Sequence, residues 1–169
     1  RFNHEAVAVN PESQFLYLTE DMPDGGFYRF IPENLDGNGF ADLTSGELQI
    51  AEMLFENDAY YIRWHSLPDS QAVEIPTRQQ IPEATAFNGG EGIVCYEGII
   101  YFTTKGDNKI WAYDTGDHLI MAIYDAGDYQ TPTLSGVDNM AVSATGNLIV
   151  AEDGGDLQIV LVSPQGDIK

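Results

Sequence analysis

An all-β fold is predicted for this 169-residue chain by three features of its sequence. Short apolar segments rich in β-branched and aromatic residues recur along the chain, and turns containing Asn, Asp, Gly and Pro separate them. No segment shows a strong helical period. The segments also recur in a fixed order, which indicates that one supersecondary unit is used several times.

The repeated unit consists of an acidic residue, a strand, a turn, a second strand, a polar turn with Gly and Asp, and a third strand. It occurs in residues 5–30, 91–113 and 138–162. Fourth strands are predicted in GELQIAEML and HLIMAIYDAG, which follow the first two copies. The interval from Glu91 to Asp138 matches the roughly 40 to 50 residues of one four-stranded propeller blade.

The predicted fold is therefore a β-propeller of which this chain supplies about three four-stranded blades. We place the blades at about residues 1–55, 89–126 and 134–169, with an irregular insertion at about 56–88. Propellers have about four to eight blades, so three do not close a ring. The chain is expected to be a partial propeller domain that is completed by further blades or by a second copy of itself.

The net charge restricts the partners of the protein. The chain has 27 Asp and Glu against 7 Lys and Arg, a formal net charge of -20, which repels nucleic-acid phosphates and anionic membrane surfaces. No apolar run reaches the roughly 20 residues of a membrane span. We expect neither a nucleic acid nor a membrane as a partner. Cations are the natural counterpart, although such a charge can also serve solubility alone.

One acidic residue stands before the first strand of each repeat: Glu5, Glu91 and Asp138. The first strand of each propeller blade lines the central channel, so these three carboxylates are expected to converge at one channel mouth. Unpaired carboxylates repel one another, and a hard cation relieves that repulsion. The sequence thus indicates a metal site, while the alternative is that each acid caps a turn or accepts backbone N–H bonds.

A second acidic set ends the second strand of the first and third repeats. These residues should return to the same face, which makes them further candidate metal ligands: Glu20, Asp21, Glu152 and Asp153. The middle repeat carries Lys105 at this place. A cation beside carboxylates is what an anionic substrate requires. The alternative is that Lys105 only neutralises the acids around it.

Several segments in combination resemble the bacterial PhoX-type alkaline phosphatases: RFNHEAVAV, YLTED, GGFYRF, GGEG, YFTTKGDNKIWAYD, LSGVDNMAVS and VAEDGGD. The resemblance implies a six-bladed propeller, export to the periplasm or the exterior, and a cluster of calcium and iron at the channel mouth. By position it implies that Glu5 and Glu91 are metal ligands, that Asp138 is a further candidate, and that Arg1 or Lys105 faces the phosphate.

The function implied by this resemblance is metal-dependent hydrolysis of a small phosphate monoester. A calcium-dependent lactonase or esterase is an alternative with the same geometry, and a non-catalytic secreted propeller with structural calcium is another. No serine-hydrolase motif competes, because no serine has a GxSxG setting. Cys95 lies inside an apolar segment, which indicates a buried small side chain and makes it a poor candidate for an iron ligand.

Overall fold

The computed structural model describes residues 1–168. Two 3₁₀ turns, Thr77–Gln79 and Ala126–Asp128, are its only helical segments, so the predicted all-β class is confirmed. None of the helical segments in this part of the chain has the length and hydropathy of a membrane span. The strands in chain order are β1 (His4–Val9), β2 (Leu16–Glu20), β3 (Phe27–Pro32), β4 (Gly46–Glu56), β5 (Ala59–Ser66), β6 (Gly90–Tyr96), β7 (Ile99–Thr104), β8 (Lys109–Asp114), β9 (Leu119–Asp125), β10 (Val137–Val142), β11 (Leu148–Glu152) and β12 (Ile159–Val162).

The strands form three antiparallel meanders, one for each repeat. The first contains β1 to β4, the second β6 to β9 and the third β10 to β12, and the predicted fourth strands are β4 and β9. The first strands of the three meanders are neighbours, with β6 in contact with both β1 and β10. Adjacent propeller blades place their inner strands in this way. The division into blades at the predicted boundaries stays a prediction.

The segment predicted as an irregular insertion contains a strand, β5, which joins the first two meanders. It pairs with β4 along its whole length and with β9 through two residue pairs, so that nine strands form one sheet. The hairpin between β4 and β5 turns at Asn57 and Asp58, both with positive φ. Two such residues form the type I′ turn that favours a tight hairpin, and this signal accounts for the strand.

Two hydrophobic clusters lie on opposite sides of the second meander. Alternation along β7 supplies both, because Ile100 and Phe102 enter the cluster shared with the first meander while Tyr101 enters the cluster shared with the third. The rings of Phe27 and Phe102 stack across the first junction with centroids 4.4 Å apart. The middle meander is therefore buried on both faces, and the junctions fix the relative positions of the repeats.

Candidate functional site

The three acids that precede the first strands lie at the same irregularity of the backbone. Glu5, Glu91 and Asp138 each follow the residue after which the pairing of the first two strands shifts. The shifts fall between these pairs of residues: His4 and Val7, Gly90 and Ile93, Val137 and Met140. A β-bulge of this kind re-aims a side chain and is common beside active sites. The repeats therefore present their acids in equivalent ways.

Threonine hydroxyls tie each of two acids to the preceding meander. Thr19 in β2 donates a hydrogen bond to the backbone carbonyl of Glu91 at 2.5 Å. Thr103 in β7 donates the equivalent bond to the carbonyl of Asp138 at 2.6 Å. Both threonines are buried. The backbone of an acid in one repeat is thus held by the second strand of the repeat before it.

We give the name acidic cluster to Glu91 and the three acids whose charges act on it, Glu5, Asp21 and Asp138. Glu91 is 5% exposed, and burial raises the pKa of its carboxyl to about 7, with further upward contributions from the negative charges of Asp138, Asp21 and Glu5. The positive charge of Lys105 opposes this rise. The negative charges of two predicted channel-mouth acids and one acid of the second set, and the positive charge of the predicted lysine, thus all act on Glu91. Their role as metal ligands stays a prediction.

Lys105 bridges the second meander to the third. Its Nζ donates to Asp153 Oδ2 at 2.6 Å and to Asp138 Oδ2 at 3.1 Å, and these bonds raise the pKa of the amine above its ordinary value. The hydrogen bond from Lys105 also lowers the pKa of the Asp153 carboxyl. The side chain of Lys105 stays 33% exposed. It can therefore meet a ligand in solution without losing its place beside Asp138.

Asp21 occupies the position in the first repeat that Lys105 occupies in the second. Their backbone N–H groups donate to Asn3 and Gly89, respectively, at 3.1 and 2.8 Å, two residues before the acid of the same repeat. Asp21 is therefore placed relative to Glu91 as Lys105 is placed relative to Asp138. At the junction of the second and third meanders, Asp138 is paired with Lys105. At the junction of the first and second meanders, here called the Glu91 junction, Glu91 has Asp21 in the place of the lysine. The excess negative charge of the cluster is concentrated at the Glu91 junction.

Glu20, which the sequence groups with the metal ligands, has its carboxylate occupied by protein groups. It is fully buried, with Oε1 accepting from Arg78 Nη1 at 2.9 Å and Oε2 accepting from the Tyr28 hydroxyl at 2.6 Å and the Gly26 N–H at 3.0 Å. Arg78 also pairs with Asp24 at 2.8 Å. These contacts satisfy the carboxylate, so we do not include Glu20 in the proposed metal set. Sequence reasoning missed Arg78 because its segment has no counterpart in the other repeats.

Glu152 has the position in the third repeat that Glu20 has in the first, and its carboxylate also binds protein groups. Its carboxylate accepts N–H bonds from Ser135 at 2.5 Å and Gln158 at 3.0 Å. Successive residues at a strand end point to opposite sides. The second acidic set is therefore divided: Glu20 and Glu152 hold loops, while Asp21 and Asp153 face the cluster.

Arg1, predicted to face phosphate, lies apart from Lys105 in the structure. Its backbone nitrogen donates to the Ser70 carbonyl at 2.5 Å. The residue lines a cavity of about 440 Å³ together with Phe2 and His4, and none of the clustered acids lines that cavity. Lys105 is therefore the cation that the structure sets beside the acids.

The chemistry of the cluster suits calcium better than iron. Its donors are carboxylate oxygens, which are the ligands that calcium prefers. Among residues 1–168, no three His, Cys, Asp or Glu side chains lie close enough together to hold a metal ion as they stand. Cys95 packs against the first hydrophobic cluster, and burial raises the pKa of its thiol, so it offers no thiolate to the site.

Comparison with protein-family models gives a match over most of the chain. The family model described as alkaline phosphatase PhoX matches residues 1–123, which include Glu5, Asp21, Glu91 and Lys105. This range covers most of the chain and nearly all of the first two meanders. No curated protein matches the chain significantly. The repeated meanders, the acid-rich junction and this match together assign the chain to the PhoX alkaline phosphatase family.

Proposed function

We propose that this protein hydrolyses small phosphate monoesters with the help of calcium bound at the Glu91 junction, in the periplasm or outside the cell. The observation that carries the proposal is the environment of Glu91, a buried carboxyl with a pKa of about 7 among Glu5, Asp21 and Asp138. Ionisation of such a group is unfavourable unless a positive charge comes to it. Membership of the family supports phosphate as the group acted upon.

Glu5 and Glu91 are the proposed principal ligands, with Asp21 and Asp138 completing the oxygen donors. The negative charges of these side chains already act on one another, and a cation would draw the carboxylates towards a common point. Bound cations supply charge stabilisation for the transferring phosphoryl group and lower the pKa of an oxygen nucleophile. Calcium is the cation proposed because the cluster offers only carboxylate oxygens, the ligands that calcium prefers.

Lys105 would hold and orient the phosphate. Its Nζ lies between Asp138 and Asp153, and Asp153 is the more exposed of these partners, with 67% of its side chain accessible. An incoming phosphate can replace Asp153 as the partner of Lys105 while Asp138 keeps the amine in position. The raised pKa of Lys105 keeps the amine protonated in neutral and alkaline solution.

The test is an assay of the purified protein with p-nitrophenyl phosphate, first stripped of metal and then supplied with calcium, alongside metal analysis of the untreated protein. We expect calcium-dependent release of phosphate, which Glu91→Gln abolishes. Glu33→Gln removes the same charge at an exposed position and should leave the activity unchanged.

The same preparations distinguish the alternatives. Calcium-dependent opening of a lactone without phosphate release would favour a lactonase or esterase. Calcium binding without turnover of either substrate would favour a non-catalytic binding module. Phosphate release that is indifferent to both calcium and Glu91 would contradict the proposed site.

A further inference from the structure

Arg29 is a half-buried cation without a carboxylate partner in a strongly acidic chain. Its Nε and Nη2 both donate to Gln49 Oε1, at 3.0 and 2.5 Å, and its guanidinium lies over the Trp64 ring, 4.6 Å from the centroid. No Asp or Glu within residues 1–168 forms an ion pair with it. The charge of Arg29 helps to lower the pKa of the Glu47 carboxyl, but the two side chains form no ion pair, so the guanidinium keeps room for a partner.

Two cavities meet at Arg29 and His118, on the junction between the first and second meanders. One has a volume of about 400 Å³ and is walled by Phe15 and Tyr17, and the other has about 490 Å³ and is walled by Trp64. Exposed acids also line them, Glu12 in the first cavity and Glu56 and Asp117 in the second. The turn between β1 and β2 borders the first cavity, so the site lies at the far end of that hairpin from Glu5. Its volume is in the range of small-molecule sites.

A chain of hydrogen bonds holds the His118 ring in place. Trp64 Nε1 donates to the Tyr113 hydroxyl at 3.0 Å, and that hydroxyl lies 2.7 Å from His118 Nδ1. The indole N–H donates to the hydroxyl, and the direction of the bond between the hydroxyl and Nδ1 follows the tautomer of the ring. Burial raises the pKa of Tyr113, which keeps its hydroxyl protonated. Nε2 of the exposed ring is the nitrogen that faces no protein partner within residues 1–168.

We propose that these cavities form a second binding site, for a small carboxylate with a flat apolar body. Arg29 offers N–H donors and His118 offers a ring nitrogen, and the planar guanidinium matches the two oxygens of a carboxylate. The rings of Phe15, Tyr17 and Trp64 match a flat apolar surface. The site uses no residue of the acidic cluster and is independent of the proposed phosphatase function.

The two tryptophans of the chain allow a direct test with benzoate as the probe. Trp64 reports on the proposed site, whereas Trp111 donates to Thr104, next to Lys105, and serves as an internal reference. In ¹H–¹⁵N spectra we expect benzoate to move the indole signal of Trp64 saturably and to leave that of Trp111 in place. Benzyl alcohol, which has the ring but no carboxylate, should leave both signals in place.

Variants separate the carboxylate contact from general charge. Arg29→Lys keeps the charge without the planar fork, and it should weaken benzoate binding at least tenfold. Lys109 likewise lies over a tryptophan but is already paired with Asp125, so Lys109→Gln removes a positive charge elsewhere and should bind benzoate normally. His118→Gln changes an exposed side chain and should weaken binding severalfold, which keeps the test available if Arg29→Lys does not fold.

Three results would overturn the proposal. These are a benzoate affinity unchanged by Arg29→Lys or by His118→Gln, a Trp64 shift of equal size with benzyl alcohol, and displacement of benzoate by an equal concentration of inorganic phosphate. The last result would mean that the site selects oxyanions in general and not flat carboxylates.

Discussion

The hydroxyl of Thr103 donates to the backbone carbonyl of Asp138 at 2.6 Å and so fixes an acid of the third meander from the second. Thr19 makes the equivalent bond to Glu91 across the other junction. The third repeat has Ala151 at this position, so it offers no such hydroxyl to a following repeat. The acidic cluster is therefore a property of the junctions between repeats and not of any single repeat.

Loss of the Thr103 hydroxyl should destabilise the junction. Thr103→Val keeps the shape of the side chain but leaves a buried carbonyl without its donor, which costs roughly 1 to 3 kcal/mol in the free energy of unfolding. Thr103→Ser restores the donor and should recover most of the loss. Urea unfolding measures both, with Thr131→Val as an exposed control. Equal stability of the valine variant and the wild type would show that the bond is unimportant.

Glu91 should make the metal-free protein less stable as pH rises. Its folded-state pKa of about 7 lies above the ordinary 4.5, so the folded state binds more protons than the unfolded state between these values. The free energy of unfolding should therefore fall from about pH 4.5 to about pH 7 and then stay level. A pKa difference of this size corresponds to roughly 3 kcal/mol.

Glu91→Gln should remove this dependence. We expect the variant to match the wild type near pH 4 and to be more stable near pH 8, when both are measured by denaturant unfolding without metal. Glu33→Gln serves as the control for charge alone. A wild type that keeps the same stability across this pH range would be inconsistent with the burial of an uncompensated carboxyl.

Lys105→Gln should move the pH range over which stability falls. Lys105 lowers the pKa of Glu91, so without it the Glu91 pKa should rise and the decline in stability should continue to higher pH. Lys109→Gln removes one positive charge outside the cluster, where Lys109 pairs with Asp125 at 2.9 Å, and should leave the range in place. Identical pH profiles for wild type and Lys105→Gln would count against the placement of the lysine.

The ion pair of Arg78 and Glu20 should serve folding and not metal binding. Arg78→Met leaves the buried Glu20 carboxylate without its cation, which typically costs about 3 to 5 kcal/mol. Glu20→Gln should lower stability and leave calcium affinity unchanged, as measured by calorimetry under conditions where the variant is folded. A large loss of calcium affinity in Glu20→Gln would return this residue to the metal set.

The repeat pattern made much of the architecture predictable from the sequence. Alternating apolar residues and turn signals define the meanders, and the recurrence of one acid before each first strand anticipates that Glu5, Glu91 and Asp138 occupy equivalent places in the three repeats. These features are local or periodic, so they are visible in the sequence. The strand β5 was less evident, since its signal is an Asn-Asp turn within a segment without repeat partners.

The roles of individual acids could not be predicted from the repeat alone. Glu20 and Asp21 are adjacent in sequence, yet one is buried against Arg78 and the other faces Glu91. That difference depends on the side of the strand and on a partner more than fifty residues away in sequence. The unpaired state of Arg29 likewise depends on long-range packing that no local pattern records.

The most direct test of the central claim is the calcium dependence of thermal unfolding at pH 8. The wild-type protein is melted with calcium and with a chelator, in parallel with Glu91→Gln. We predict that calcium raises the melting temperature of the wild type and that Glu91→Gln, already more stable without metal, gains little or nothing. A melting temperature indifferent to calcium in the wild type, or an equal gain in Glu91→Gln, would contradict a cation site at this junction.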